Sequence, residues 1–268
     1  MKDVKSYVEK WDDEASIYDK KFYNNPISLY MRRINLKLLT DYFEEKHSLL
    51  DLGCGTGDEA IVLAKRGHDI TAIDISPAMI EIAKKKAEKF GVKDNIDFKT
   101  LSIEDLESVK GQKFDGIYSS LGPLNCIKNL NAIIHNMYNL LDENGYLIAS
   151  VMNRRCMSEF FYYIAKNRFK KARRRLGREK LVVEIGTQSN QIACRFYDVF
   201  EFYKLFTDTF KLVEIFSFPI ILPPPFSRNY SKIFKRARLV LEKVDEFLTK
   251  LPIINLFGDQ ILGIFQKK

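Results

Sequence analysis

The chain has 268 residues, 46% of them hydrophobic and 29% charged, with a formal net charge of +8. These values exclude a disordered or fibrous chain and describe a soluble globular protein that can bury a proper core. No apolar run reaches the roughly 20 residues of a membrane span, and Met1-Lys2-Asp3-Val4-Lys5 lacks the apolar core of a secretory signal. Cys54, Cys126, Cys156 and Cys194 lie far apart with no C-x-x-C pair. Neither a zinc site nor a disulfide framework is suggested, no metal is expected, and a reducing cytoplasm is the expected compartment.

Residues 1 to about 25 are polar and aromatic, with Tyr7, Trp11, Tyr18, Phe22 and Tyr23. From Ser28 to Lys46 apolar residues such as Ile34, Leu38 and Tyr42 recur at helical spacing. Leu49–Asp51 reads as the first strand. A helix over Asp58–Arg66 follows, with Gly67 as its C-cap. Asp69–Ile75 reads as the second strand, and Ser76-Pro77 as an N-cap with a first-turn proline opening a helix to about Phe90. Strands are expected at Ile96–Leu101, Phe114–Ser119 and Tyr146–Val151, with a helix over Leu130–Leu141. Strands alternating with helices predict an α/β fold, a mostly parallel sheet with helices on both faces.

Between the first strand and its helix lies Asp51-Leu52-Gly53-Cys54-Gly55-Thr56-Gly57-Asp58, and the second strand ends in Asp74. Glycines let a ligand approach the backbone where a Cβ would collide. Exposed N–H groups at a turn and helix start bind polar or anionic groups, and an acid closing the next strand can accept both hydroxyls of a ribose. This is a cradle for an adenosine-containing cofactor. The glycine spacing is Gly53-x-Gly55-x-Gly57 rather than the dinucleotide pattern G-x-G-x-x-G, which disfavours a nucleotide-dependent oxidoreductase.

The glycine run resembles motif I of class I S-adenosylmethionine-dependent methyltransferases, and Asp74-Ile75-Ser76-Pro77-Ala78-Met79 resembles that family's second motif. The layout is similar to methyltransferases of the ubiquinone and menaquinone biosynthesis type. The resemblance is strongest over residues 49–151. It implies a Rossmann-like, seven-stranded sheet completed by two late strands, placed at Leu212–Phe218 and Gln260–Gln266. It implies S-adenosyl-L-methionine as cofactor, with Asp51, Gly53, Cys54 and Gly55 on the methionine and ribose side, Asp74 on the ribose and Ile75 on the adenine. Ser102 and Ile103 fall where the family contacts the adenine edge; the family often has Asp where Ser102 stands. Ser119 and Leu121 fall beneath the methionine moiety, and Asn125 is a candidate substrate contact. Trp11–Asp19 is similar to a segment that folds over the cofactor as a lid, which would bring in Tyr18 and Tyr23. A surface helix docked by its aromatics is the open alternative. Arg32 either pairs with a cofactor or substrate carboxylate or is a solvated helix charge.

One domain over 1–268 is expected: residues 1–48 form lid and first helix, and 49–151 the cofactor-binding core. A basic insert spans 153–185, and 186–268 completes the sheet around a helical insert at 219–256. The basic insert reads as helical, with Phe160, Phe161, Ile164 and Phe169 on its apolar side, and carries nine Lys and Arg residues between Lys166 and Lys180. These form either a solvated face or a surface for an anionic membrane or phosphate-bearing substrate. No nucleic-acid-binding pattern accompanies them. In the second insert, after Pro223-Pro224-Pro225, Ile233, Ala237, Val240, Leu241, Val244 and Leu248 are expected to share one face of a helix, with Lys232, Lys235, Arg236, Arg238 and Lys243 around it. His68 reads as a solvated turn residue, and His47 and His135 lie away from the glycine loop. No catalytic constellation is visible, and none is required, because methyl transfer from a sulfonium needs orientation first and a base only when the acceptor must lose a proton. The expected activity is methyl transfer to a small-molecule or lipid-like acceptor. The alternative is a non-catalytic protein of this fold that docks on a membrane or partner; intact Gly53, Gly55 and Asp74 favour the enzyme.

Overall fold

Apolar residues occupy consecutive positions along the central strands, so both faces of the sheet are apolar and both are covered. The computed structural model describes residues 2–45, 47–177, 181–185, 190–225 and 232–268. Arg178 and Lys180 of the predicted basic stretch lie outside the described residues, as do the side chains of Lys232, Ile233 and Lys235. Among the described residues, seven strands form one sheet: β1 (Ser48–Leu52), β2 (Asp69–Asp74), β3 (Ile96–Thr100), β4 (Phe114–Ser119), β5 (Leu141–Met152), β8 (Phe210–Phe218) and β9 (Gln260–Lys267). A separate antiparallel hairpin is made by β6 (Leu181–Ile185) and β7 (Asn190–Cys194). The sheet order is β3-β2-β1-β4-β5-β9-β8, parallel from β3 to β5, with β9 antiparallel to both neighbours. This is the Rossmann-like sheet expected from the sequence. The strand order reverses between β1 and β4, and that switch point places the glycine loop at the carboxyl edge.

Alternate strand residues feed two cores. Leu49, Ile70, Tyr118 and Ile148 face one side, where α2 (Pro26–Tyr42), α3 (Asp58–Ala64) and α4 (Pro77–Lys89) pack. Leu50, Ile73, Ile117 and Leu147 face the other, under α5 (Leu130–Leu140) and α8 (Val199–Phe206). The predicted cap of α4 is present: the Ser76 side chain accepts from the Met79 N–H, with Pro77 in the first turn. The helix α8 has no counterpart in the sequence reading, although Asp198 and Glu201 form a capping box at its start.

The insert is not a continuous helix. It breaks into α6 (Met157–Ile164), the single turn α7 (Phe169–Ala172) and the β6–β7 hairpin. Its arginines are largely structural. Glu159, buried, pairs with Arg174 at 2.6 Å and with Arg175 at 2.5 Å, and Arg175 also reaches Asp259 at 2.8 Å. A buried carboxylate recruits these charges because leaving it unpaired would be costly. Phe161 and Phe169, expected on the apolar side of one helix, fall in separate elements and are both exposed.

In the second insert, α9 (Lys232–Leu248) buries only part of the face that its apolar spacing marks, Leu241 packing on the core. Its buried positions include Glu242 and Asp245, while Val240 and Val244 point outward. Asp245 Oδ1 accepts from the N–H groups of Ile220 and Ile221, both at 2.8 Å, and Oδ2 accepts from the Tyr30 hydroxyl at 3.0 Å. Backbone donors in a segment without a strand partner require such an acceptor, and that requirement overrides the hydrophobic pattern. His68 is also corrected: it is buried, its Nδ1 accepts from the His47 N–H at 3.2 Å, and the two rings stack.

Candidate active site

Two adjoining cavities open at the carboxyl edge of the sheet. The first, about 290 Å³, lies over the glycine loop. Its walls include Gly53, Cys54, Gly55, Asp74, Ile75, Ser102, Ile103 and Leu121, with Tyr7, Trp11 and Tyr18 of α1 (Lys2–Tyr23) above them. The loop geometry explains the glycines. At Gly53, φ is +81°, and a Cβ would sit 2.4 Å from Cβ of Pro123. At Gly55, φ is +51° and no heavy atom lies within 4 Å of the Cβ position, so this wall is open backbone facing the cavity. Asp74 organises the loop: Oδ2 accepts from the Gly55 N–H at 2.8 Å, and Oδ1 from the Ser76 N–H at 2.9 Å. Burial pushes its carboxyl above the usual carboxylate range, opposed by these same hydrogen bonds.

The first helix covers this cavity through specific anchors. Asp12 accepts from the Ser76 hydroxyl at 2.5 Å and the Ala78 N–H at 3.1 Å, so a residue of α1 caps α4. Asp19 accepts from the Thr56 hydroxyl at 2.6 Å, and Lys86 joins Asp19 to Asp58. From the other side the hairpin holds α1: the Tyr7 hydroxyl donates to the Ala193 carbonyl at 2.9 Å, and Lys10 to the Gln191 carbonyl at 2.7 Å. Sequence reasoning missed the hairpin. The short apolar, β-branched run Leu181-Val182-Val183-Glu184-Ile185 is the signal that could have found it.

The second cavity, about 280 Å³, shares Tyr18, Leu121, Met152 and Val183 with the first. Phe22, Met31, Leu181, Val182, Phe196 and Pro225 supply apolar walls, and Arg174, Arg175, Asp259 and Gln260 a polar end. Tyr18 stands at the junction, and burial pushes its phenol up to about 12, so it remains neutral near pH 7.

Five predicted site residues are placed elsewhere or already engaged. Asp51 lies outside the first cavity's lining, buried beside Glu59 and Tyr118, and burial raises its carboxyl well above the ordinary value. Ser119 is buried with its hydroxyl donating to the Leu52 carbonyl at 2.8 Å; Ser120 lines the cavity instead. The Asn125 side chain donates to the Arg195 carbonyl at 2.6 Å and accepts from the Met152 N–H at 2.8 Å, tying β5 to the chain beyond β7. The Tyr23 hydroxyl donates to Asp58 at 2.7 Å, outside both cavities. Arg32 does line the first cavity, but its guanidinium is held by Asp58 at 2.5 Å and Glu59 at 2.9 Å and lies over the Phe22 ring. An ion pair of this burial is matched within the chain, which removes it as a ready partner for a ligand carboxylate. His47, His68 and His135 line neither cavity.

A glycine loop at the switch point, an acid closing the next strand and a covered apolar cavity define an α/β protein that binds an adenosine cofactor. The methyltransferase-domain family model matches residues 43–210, and the chain belongs to this family. It is a class I S-adenosylmethionine-dependent methyltransferase, with S-adenosylmethionine as its cofactor. It is 29% identical over 192 residues to an uncharacterised protein of Methanocaldococcus jannaschii, covering 71% of this chain and 70% of that one. It is 32% identical over 106 residues to a ubiquinone biosynthesis O-methyltransferase of Xanthomonas axonopodis, covering 40% of this chain and 43% of that one. The chain therefore spans less than half of that enzyme. Among solved structures, a putative S-adenosylmethionine-dependent methyltransferase from Listeria monocytogenes superposes with a TM-score of 0.59 at 18% identity, covering 87% of this chain and 95% of that one. Geranyl diphosphate C-methyltransferase from Streptomyces coelicolor, solved with S-adenosyl-L-homocysteine, gives 0.55 at 13% identity, covering 88% and 76%. At these identities the two structures establish a shared fold.

Proposed function

We propose that this methyltransferase methylates an uncharged, largely apolar small molecule of lipid-like character, bound in the second cavity. The observation that carries this reading is the join between the cavities: they share four residues, and every charged side chain lining the second is paired within the protein. Arg174 and Arg175 are matched by Glu159 and Asp259, so an added ligand charge would meet no unmatched opposite charge there. When bound, S-adenosylmethionine supplies an already activated methyl group. Open backbone at Gly55, the free face of the Asp74 carboxylate and the apolar side chains of Ile75 and Ile103 suit its adenosine part. In this reading Asp74 accepts from the ribose hydroxyls, and Gly53, Cys54 and Gly55 line the methionine side, mostly through backbone groups. Ser102 uses its hydroxyl to cap the following turn, accepting from the Glu104 N–H at 3.1 Å, which leaves the adenine edge to backbone groups near Ile103. Leu121 and Tyr18 wall the passage between the cavities, the neutral Tyr18 hydroxyl being available as a donor. The helix α1 and the hairpin both contribute walls to the two cavities. The protein then acts mainly by orientation, which can supply about 7–11 kcal/mol of barrier reduction in favourable cases.

The test offers purified protein and S-adenosylmethionine matched acceptor pairs, such as alkyl phenols with and without a carboxylate, and measures S-adenosylhomocysteine release. Neutral members should be preferred. Val182→Asp, at an exposed position lining only the second cavity, should raise the acceptor KM while leaving cofactor affinity unchanged. Preference for the charged members, or an unchanged KM in this variant, overturns the reading.

A further inference from the structure

The outward face of α9 is apolar where a solvated helix would be polar. Leu239, Val240 and Phe247 are 63%, 65% and 61% exposed, and Val244 is 41% exposed. At 100° per residue these four fall within an arc of about 140°. The same arc carries Arg236 and Lys243, both exposed, lying between Leu239 and Phe247 around the helix. The acids of the helix are turned away or matched. Asp245 and Glu242 are buried, and Glu246, at the edge of the arc, pairs with Arg33 at 2.9 Å. Just past the helix, Lys250 is exposed and Ile253 is 72% exposed. Apolar and basic side chains interleaved on one exposed face, without an unmatched acid, suit the headgroup–acyl boundary of an anionic bilayer. Scattered exposed apolar residues need no explanation, but a contiguous stripe does.

We infer that α9 is an interfacial helix that docks this protein on an anionic lipid surface. The helix is fixed to the body by polar contacts on its opposite side, so insertion of the outward stripe requires no unfolding. Asp245 holds the backbone of Ile220 and Ile221, a few residues before Pro225, which lines the second cavity and accepts from the Asn25 side chain at 2.6 Å. Lipid contact through α9 is thus attached to the wall of that cavity, whichever acceptor occupies it. The basic insert contributes less than the sequence suggests, because Arg174 and Arg175 are already ion-paired.

The experiment is cosedimentation of the full chain with vesicles of phosphatidylcholine alone and of phosphatidylcholine with phosphatidylglycerol at equal parts, at low and high salt. Wild-type protein should bind the mixed vesicles at low salt, and high salt should weaken that binding. Val240→Ser/Val244→Ser/Phe247→Ser should weaken it at least about tenfold, and Arg236→Gln/Lys243→Gln should weaken it mainly at low salt. S-adenosylmethionine affinity and circular dichroism, measured on the same variants, should match wild type. This separates loss of docking from loss of fold and from any failure of the acceptor reading. No binding of wild-type protein to mixed vesicles, or equal binding of the triple-serine variant, overturns the inference. A wild-type dimer that becomes monomeric in the triple-serine variant, without vesicle binding by either, assigns the stripe to a second copy of the chain and also overturns it.

Discussion

Replacing Asp74 with Ala separates two roles that the structure gives one carboxylate. Toward the cavity it is placed to accept from a ribose, and charge-assisted hydrogen bonds of this kind contribute about 1.5–3 kcal/mol each. Allowing for water replacing part of the contact, cofactor affinity should fall by about 1–3 kcal/mol, roughly 5- to 150-fold. Toward the protein, Asp74 accepts from Gly55 and Ser76 at 2.8 and 2.9 Å, so the alanine variant leaves two donors without their acceptor. If each costs about 1 kcal/mol, the loss for a protein of this size corresponds to a Tm decrease of about 4–8 °C without any ligand. Calorimetric titration with S-adenosylhomocysteine reads the first effect, and thermal melting of ligand-free protein reads the second. Asp74→Asn retains one acceptor oxygen and should fall between wild type and Ala in both. An unchanged dissociation constant in folded Asp74→Ala protein would show that Asp74 does not hold the ribose. An unchanged ligand-free Tm would show that the two backbone bonds do not stabilise the loop.

Two further outcomes test the surrounding structure. Gly53→Ala forces a side chain into a left-handed conformation and against Pro123, and should destabilise by at least about 2 kcal/mol in denaturant titrations, so wild-type stability would refute the close approach. Arg175→Ala strands buried Asp259 and leaves buried Glu159 with Arg174 alone, and should cost about 3–5 kcal/mol, whereas exposed Arg173→Ala should stay within about 0.5 kcal/mol; equal thermal shifts would remove the distinction between structural and solvated arginines.

The sequence by itself determined the parallel core and the location of the cofactor loop. Strand periodicity, the Ser76-Pro77 helix start and the glycine spacing are local patterns, and local sterics and backbone hydrogen bonding suffice to express them. The cavity positions of Gly53, Gly55 and Asp74 follow from those patterns, whereas Ile75, Ser102, Ile103 and Leu121 were expected there from the family resemblance and Tyr18 only if the first segment covered the cofactor. Only the tertiary structure decided where the remaining polar groups are satisfied. The polar side chains of Asn125, Ser119 and Arg32 are expected at the site from the chain alone, and only the fold brings each to a partner within the protein, 70, 67 and 27 residues away. The basic insert looks solvated until Glu159 and Asp259 are brought to Arg175, and α9 looks apolar inward until Asp245 is drawn to the backbone at Ile220. Hydrophobic spacing says that a helix has two faces. Which face turns inward was decided here by unpaired backbone donors, because burying them without an acceptor costs more than exposing a valine.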